Sequence, residues 1–108
     1  MTEKYKVIYS PTALEDLDDI YYYIAYKLKE KQVAKNLIKR VYKSVRSLCE
    51  YPERFRRVEQ EPWASTGVRQ LVEGNYIIYY LPDAQQMVVT VSRVAYGGRN
   101  LENVMNGE

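Results

Sequence analysis

The residues best equipped for chemistry lie in the C-terminal half. The run Arg93-Val94-Ala95-Tyr96-Gly97-Gly98-Arg99-Asn100 sets two guanidinium groups and a phenol beside two adjacent glycines. Arginine carries a rigid, permanently charged fork that matches a phosphate or a carboxylate. Glycine lets the backbone approach a bound group closely. A tyrosine stacked on a base, with an arginine on a phosphate, would suit RNA; the alternative is a Tyr96 packed at a sheet edge and a solvated Arg99. Arg69 is a further cation in a strand pattern, either open to a carboxylate or paired with Glu73 or an acid of the first helix. Arg93 falls on the same side as Val89 and Val91, an apolar neighbourhood in which a charge must be paired. Asp16 and Asp19 are its candidate partners.

Composition excludes other chemistry. The chain has no histidine, so the commonest general acid–base group and metal ligand is missing. With Cys49 as the single cysteine, neither a zinc site nor any other metal or cofactor is expected. Catalysis would have to use Arg, Lys, Tyr, Glu or Asp. Cys49 cannot close an internal disulfide and reads as a small core residue in a reducing cytoplasm. Glu15, Asp16, Asp18 and Asp19 resemble a paired-carboxylate site, but read as a solvated face matched to a helix dipole. Arg54, Arg56 and Arg57 read as a solvated loop cluster, and Trp63 as a loop plug. The net charge of +2 does not demand a nucleic-acid partner. Its distribution is more informative: the lysines run from Lys4 to Lys43 and the arginines from Arg40 to Arg99, which makes the C-terminal half the recognition half.

The elements that must position these groups follow from periodicity. At 108 residues the chain is read as one domain, 1–108, with its own core. The N-terminus has no apolar signal core, and no run approaches membrane-spanning length. Lys4 to Tyr9 alternates as a strand, with Tyr5, Val7 and Tyr9 on one side. Ser10-Pro11 supplies a helix cap and a first-turn proline. Leu14, Leu17, Ile20 or Tyr21, Ile24 and Leu28 then form a helical stripe, and Val33, Leu37, Val41, Val45 and Leu48 a second one. The short link Lys29–Gln32 makes these two an antiparallel hairpin, and Pro52 ends the second helix. Residues 53–66 read as a loop. Three strands follow, turning at Glu73-Gly74-Asn75 and at Pro82-Asp83-Ala84-Gln85, and residues 100–108 read as a polar tail with at most one helical turn. The order β-α-α-β-β-β predicts an α+β fold: an antiparallel helical hairpin on one face of a mostly antiparallel four-stranded sheet. The second face of that sheet is expected to be uncovered by this chain.

An ordered set of segments also resembles a known family. Tyr9-Ser10-Pro11-Thr12-Ala13-Leu14-Glu15-Asp16-Leu17 opens the first helix, Ile20 to Ile24 continues it, and Tyr51-Pro52-Glu53-Arg54 follows the second. Gly67-Val68-Arg69-Gln70-Leu71, Asn75-Tyr76-Ile77-Ile78-Tyr79-Tyr80 and Arg93 to Asn100 complete the series. Together they resemble the RelE/ParE superfamily of toxins from type II toxin–antitoxin modules. The resemblance implies a cytoplasmic bacterial growth inhibitor, with no membrane or cofactor involved. A cognate antitoxin would fold onto it and mask its active surface, in a toxin–antitoxin hetero-oligomer. RelE-like members cleave mRNA in the ribosome; ParE-like members poison DNA gyrase. RelE-like nucleases generally place an arginine after the tyrosine that opens the third strand, where this chain has Ile77. That departure, the absence of histidine and the absence of lysine after Lys43 favour the gyrase reading. Tyr96 stands where many members have histidine. On the nuclease alternative, Arg69, Arg93, Tyr96 and Arg99 would be catalytic, with Tyr96 or a glutamate moving the proton. Target or antitoxin binding would fall to Arg69, Tyr76, Tyr79, Tyr96 and Arg99. An inactive remnant that only binds antitoxin is the third reading.

Overall fold

Ser10 ends the first strand and begins the first helix: its hydroxyl accepts from the Ala13 N–H at 3.0 Å and donates to the Ser92 carbonyl at 2.9 Å. The computed structural model describes residues 4–106, so the last two residues of the tail lie outside the described residues. Around that junction the chain runs β1 (Lys6–Tyr9), α1 (Pro11–Tyr22), α2 (Lys31–Arg46), α3 (Trp63–Thr66), β2 (Arg69–Glu73), β3 (Tyr76–Asp83), β4 (Val88–Tyr96) and α4 (Leu101–Met105). The sheet order is β1-β4-β3-β2. β2, β3 and β4 form the expected antiparallel meander, and β1 lies parallel to β4. This is an α+β fold. The first turn of the meander is Gly74-Asn75, where Gly74 takes a φ of +60°. That conformation suits a residue without a Cβ. The second turn falls later than expected, at 84–87, because Pro82 and Asp83 remain in β3.

The helical hairpin packs on one sheet face through Ala13, Leu17, Ile24, Ala34, Leu37, Val41, Val45 and Leu48, which meet Leu71, Ile78, Tyr80, Val89, Val91 and Val94. Two of the expected core positions are corrected. Ala13 and Ala34 are fully buried where the sequence pointed to Leu14 and Val33, both exposed. Small side chains let the helices sit close to their neighbours at native packing density. The first helix also ends earlier than its apolar stripe. A widened turn over Tyr23–Lys27 follows, with the Leu28 N–H donating to the Tyr23 carbonyl at 3.0 Å, and Leu28 is left exposed.

Contrary to expectation, this chain covers much of the second sheet face, although Val72 on that side stays exposed. Val58, Val68, Tyr79, Ala95 and Val104 form a separate buried cluster, with Trp63, Ile77, Leu101 and Met105 packed against it. The covering elements are the loop before β2 and α4. Asn100 caps α4 by accepting from the Glu102 N–H at 2.8 Å, and Leu101, Val104 and Met105 form its apolar side. A tail that looks polar by composition is therefore amphipathic by spacing.

Asp16 is buried rather than solvated, and it joins three elements. β1 stops pairing with β4 at Tyr9–Val91, which leaves the later part of β4 without a neighbour on that edge. The Asp16 carboxylate takes the place of that neighbour, accepting from the Val94 N–H at 2.9 Å. The same carboxylate binds the Arg93 guanidinium through both oxygens, from Nε at 2.7 Å and Nη2 at 2.8 Å. Arg93 Nη1 donates onward to the Val104 carbonyl of α4. Asp16 was one of the two partners expected for Arg93. The strand alternation was not: a β-bulge between the Tyr80–Val91 and Tyr79–Arg93 pairs shifts the register, and Val94, not Arg93, joins Val89 and Val91 in the core.

Two outcomes test this scaffold. Removing the buried carboxylate leaves a guanidinium and a backbone N–H without their acceptor, so Asp16→Ala is expected to cost about 3–5 kcal/mol in urea denaturation. Arg99→Ala, at an exposed position, is expected to stay within about 1 kcal/mol of the parent. The second concerns Tyr80, whose hydroxyl donates to the Pro52 carbonyl at 2.6 Å and whose pKa burial pushes up from 10.0 to about 12. Burial pushes the Tyr9 phenol to about 12 as well. Such a phenol holds its proton more tightly folded than unfolded, so the stability it contributes is complete below about pH 10 and lost as pH rises towards about 12. Urea midpoints are expected to fall across that window, and to fall less steeply for Tyr80→Phe. An identical alkaline slope in both proteins would contradict the assignment.

Candidate functional site

One end of the sheet opens into a cleft of about 740 Å³. Its floor is Tyr76, Val94 and Ala95 at the close of the β3–β4 ladder. One wall is the end of α1 and the widened turn, with Ile20, Tyr23, Ile24 and Leu28, continued by Val33, Leu37 and Arg40 of α2. The other wall is the Gly74-Asn75 turn with Tyr96 and Arg99. Each wall has a local cause. The π-type turn carries Tyr23, Ile24 and Leu28 past the end of the regular helix, and it closes with Lys29 at a left-handed φ of +56°. The hairpin turn is tied to the end of β4 by the Gly97 N–H donating to the Asn75 carbonyl at 2.8 Å.

Tyr96 stands at the lip, 56 % exposed, with its ring edge-on to Tyr76 at 5.9 Å. Its orientation depends on Gly98, where an added Cβ would lie 3.2 Å from the Tyr96 ring. Tyr96 also borders a smaller recess of about 290 Å³ with Val72, Ile77, Gly97 and Gly98. The Arg99 N–H donates to the Tyr96 carbonyl at 3.1 Å, a turn that leaves both residues lining the cleft. Burial, with Tyr96 and Tyr23 close by, raises the Tyr76 phenol above its ordinary pKa. The acids facing this space are Asp16, Asp19 and Glu30. Arg40 is held by Glu73 at 3.7 Å, and Ser44 donates to the same carboxylate.

Of the residues singled out from sequence, Tyr76, Tyr96 and Arg99 come together in the cleft. Arg93 does not line it; the guanidinium is bound by Asp16, with both side chains only 11 % exposed. Arg69 sits at the opposite end of β2 from the Gly74-Asn75 turn and donates to the Glu53 and Phe55 carbonyls at 3.0 and 2.6 Å. Neither Glu73 nor a helix acid is its partner. Tyr79 is 5 % exposed and faces the second cluster, where burial raises its pKa. Sequence reasoning missed Tyr23, Leu28, Val33 and Arg40. Their signal was an apolar stripe longer than the core it had to cover. Among the described residues no group of three His, Cys, Asp or Glu side chains could hold a metal ion, and no helix is long and apolar enough to cross a membrane.

What this arrangement can do is bind an elongated amphipathic ligand: apolar walls, three aromatic rings, and charges of both signs along the rim. Its fold recurs in solved structures. The chain is similar to the chromosomal ParDE toxin–antitoxin system of P. aeruginosa, with a TM-score of 0.67, 17 % identity and coverage of 88 % of this chain and 98 % of that one. It is similar to the RelBE2 toxin–antitoxin complex of Mycobacterium tuberculosis, with a TM-score of 0.62, 20 % identity and coverage of 89 % and 94 %. The archaeal RelE–RelB complex of Pyrococcus horikoshii gives a TM-score of 0.54, 15 % identity and coverage of 90 % and 99 %. No curated protein matches the sequence. At these identities the structures establish a shared fold. The family model for the ParE toxin of the parDE type II toxin–antitoxin system matches residues 7–101. Over that span of the sequence, the chain belongs to the ParE toxin family, within the RelE/ParE superfamily of type II toxin–antitoxin toxins.

Proposed function

We propose that this toxin arrests bacterial growth in the cytoplasm by binding and poisoning DNA gyrase, without chemistry of its own. A cognate antitoxin silences it by folding an amphipathic segment into the cleft. The observation that carries the gyrase reading is the chemistry of the cleft lining. Tyr76, Tyr96, Arg40 and Arg99 are there, but no lysine or histidine, and Arg93 is engaged by Asp16. Cleavage of RNA needs a group to take a proton and a cation held at the developing phosphate charge. A phenol raised above its ordinary pKa, as Tyr76 is, serves poorly for the first task near neutral pH, which leaves it to Asp19 or Glu30 of the cleft. Ile77, where RNA-cleaving relatives carry arginine, packs with the second apolar cluster.

The antitoxin reading is supported by the exposure of Tyr23, Leu28, Val33 and Tyr96 around one concave surface. An apolar groove of this kind takes the i, i+3, i+4 anchors of an amphipathic helix that orders on binding. Tyr96 and Arg99 also support a second reading, ribosome-dependent mRNA cleavage, since an exposed ring and a guanidinium lining one cleft are suited to a base and its phosphate.

Pulse labelling with thymidine and methionine in the minutes after induced expression separates the two. The expected result is an early fall in thymidine incorporation with methionine sustained; an early fall in methionine would transfer the assignment to the ribosome. The double variant Tyr96→Ala, Arg99→Ala is expected to relieve growth arrest by at least tenfold in colony counts while the urea midpoint is retained. Full toxicity in that variant would move the site away from the strand end.

A further inference from the structure

The strongest unassigned feature is the flank of α2 that faces away from the cleft. Between Lys27 and Arg46 the only acid is Glu30, against eight lysines and arginines. Five of the cations share one side. A helix turns about 100° per residue, so Lys31, Lys35, Lys39, Lys43 and Arg46 fall within about a third of the circumference. Val33, Leu37 and Arg40, which line the cleft, fall on the opposite flank. All five cations are exposed. Among the described residues none of the five pairs with an acid; the ion pairs are Lys4–Glu50, Arg40–Glu73 and Arg93–Asp16. Lys31 rests against the Tyr26 ring at 5.5 Å.

Lysines repeated at four-residue spacing repel one another and weaken the helix that carries them. Here the fold supplies no compensating acids, so the stripe does not stabilise the chain that bears it. From Lys31 to Arg46 it runs about 22 Å along a rigid rod, with successive lysines about 6 Å apart. We propose that this stripe is a second binding surface, separate from the cleft, that holds the phosphate backbone of duplex DNA without regard to sequence. The chemistry favours a polyanion over an acidic protein. A protein interface needs a desolvated apolar centre with aromatic or arginine anchors. The aromatic rings at the stripe are Tyr42, packed edge-on against Tyr9 at 5.4 Å, and Tyr26 at its start, which Lys31 covers. These two rings stand far apart along the stripe and do not form the row on which successive bases of a single strand would stack. Lysine acts on phosphate as a point charge and needs no such anchor. This surface is independent of which target the cleft takes.

The test is fluorescence anisotropy of the full chain with a labelled duplex of arbitrary sequence, across about 50 to 200 mM salt. Five phosphate contacts give a log–log slope of roughly −4.5, a loss of several hundredfold in affinity over that range. Replacing Lys35, Lys39 and Lys43 by Gln is expected to reduce the slope to about −2 and weaken low-salt binding at least tenfold. It is expected to leave the melting temperature unchanged or higher. Replacing Arg54, Arg56 and Arg57 by Gln removes the same net charge elsewhere and is expected to leave the slope as it was. Equal losses in the two triple variants would reduce the effect to net charge and overturn the proposal. So would a salt-independent affinity, or a single strand bound more tightly than the duplex.

Discussion

A single carboxylate, buried where the sheet loses a strand, determines how the rest of the molecule assembles. β1 is too short to flank the whole of β4, and an edge left with unpaired N–H groups inside a core is costly. Asp16 resolves this by accepting from the Val94 N–H while holding Arg93. Because Arg93 also donates to the Val104 carbonyl, the contact runs from α1 through β4 to α4, across both faces of the sheet. The two apolar clusters share no buried residue, and this polar chain is one of the links between them. A buried ion pair of this kind adds little net stability over well-packed apolar side chains, but breaking it strands a charge. Its consequence here is geometric: it sets where β4 ends, and so where Tyr96, Gly97, Gly98 and Arg99 emerge.

That placement divides the surface by chemistry. On one flank of α2 lie the cleft and its apolar, aromatic walls; on the other lies a row of unpaired cations. The arginines follow a different division. Arg69 and Arg93 serve the scaffold by binding carbonyls and a carboxylate, whereas Arg99 stands at the cleft rim. Multidentate guanidinium groups suit crowded internal positions where several acceptors converge, and compact ammonium groups suit a solvated face. The segregation of lysine and arginine along the sequence therefore has a partly structural cause, which a reading of the C-terminal half as the recognition half does not capture.

The fold was largely legible because its local signals agree. Ser10-Pro11, the Gly74-Asn75 turn and the alternation of β2 to β4 each point to the same α+β order, and Asp16 was named as a partner for Arg93. What escaped was decided by pairing rather than by pattern. A bulge beside Ser92 depends on how β4 meets β3, and no alternation of residue types announces it. The choice of Ala13 and Ala34 over Leu14 and Val33 depends on how close the hairpin lies to the sheet, whereas a hydrophobicity reading prefers the larger side chains. Leu101, Val104 and Met105 carried a usable signal, with Asn100 as a cap, but five helical residues diluted by Glu102 and Asn103 look polar. Of the candidate site, Tyr76, Tyr96 and Arg99 could be found because a strand end beside two glycines is a local feature. The opposite wall could not, since it exists only once the helical hairpin stands over the sheet.

The displaced helix register and the open cleft are two results of one choice. Had Leu14, Val33 and Leu28 filled the core, the hairpin would stand farther from the sheet and its apolar stripe would be consumed inside. With alanines at the contact, those larger side chains are turned outward, and Leu28 and Val33 become wall rather than core. The result is a contiguous apolar surface on a small protein, the kind that marks an interaction site and otherwise promotes aggregation. Nothing in the cleft itself offsets that tendency strongly, since its charges are of both signs. The lysine flank of α2 faces the other way and carries charge of a single sign. One helix thus holds an apolar wall on one flank and a row of cations on the other, and α2 can keep both because its buried contacts, Ala34, Leu37, Val41 and Val45, occupy a narrow stripe.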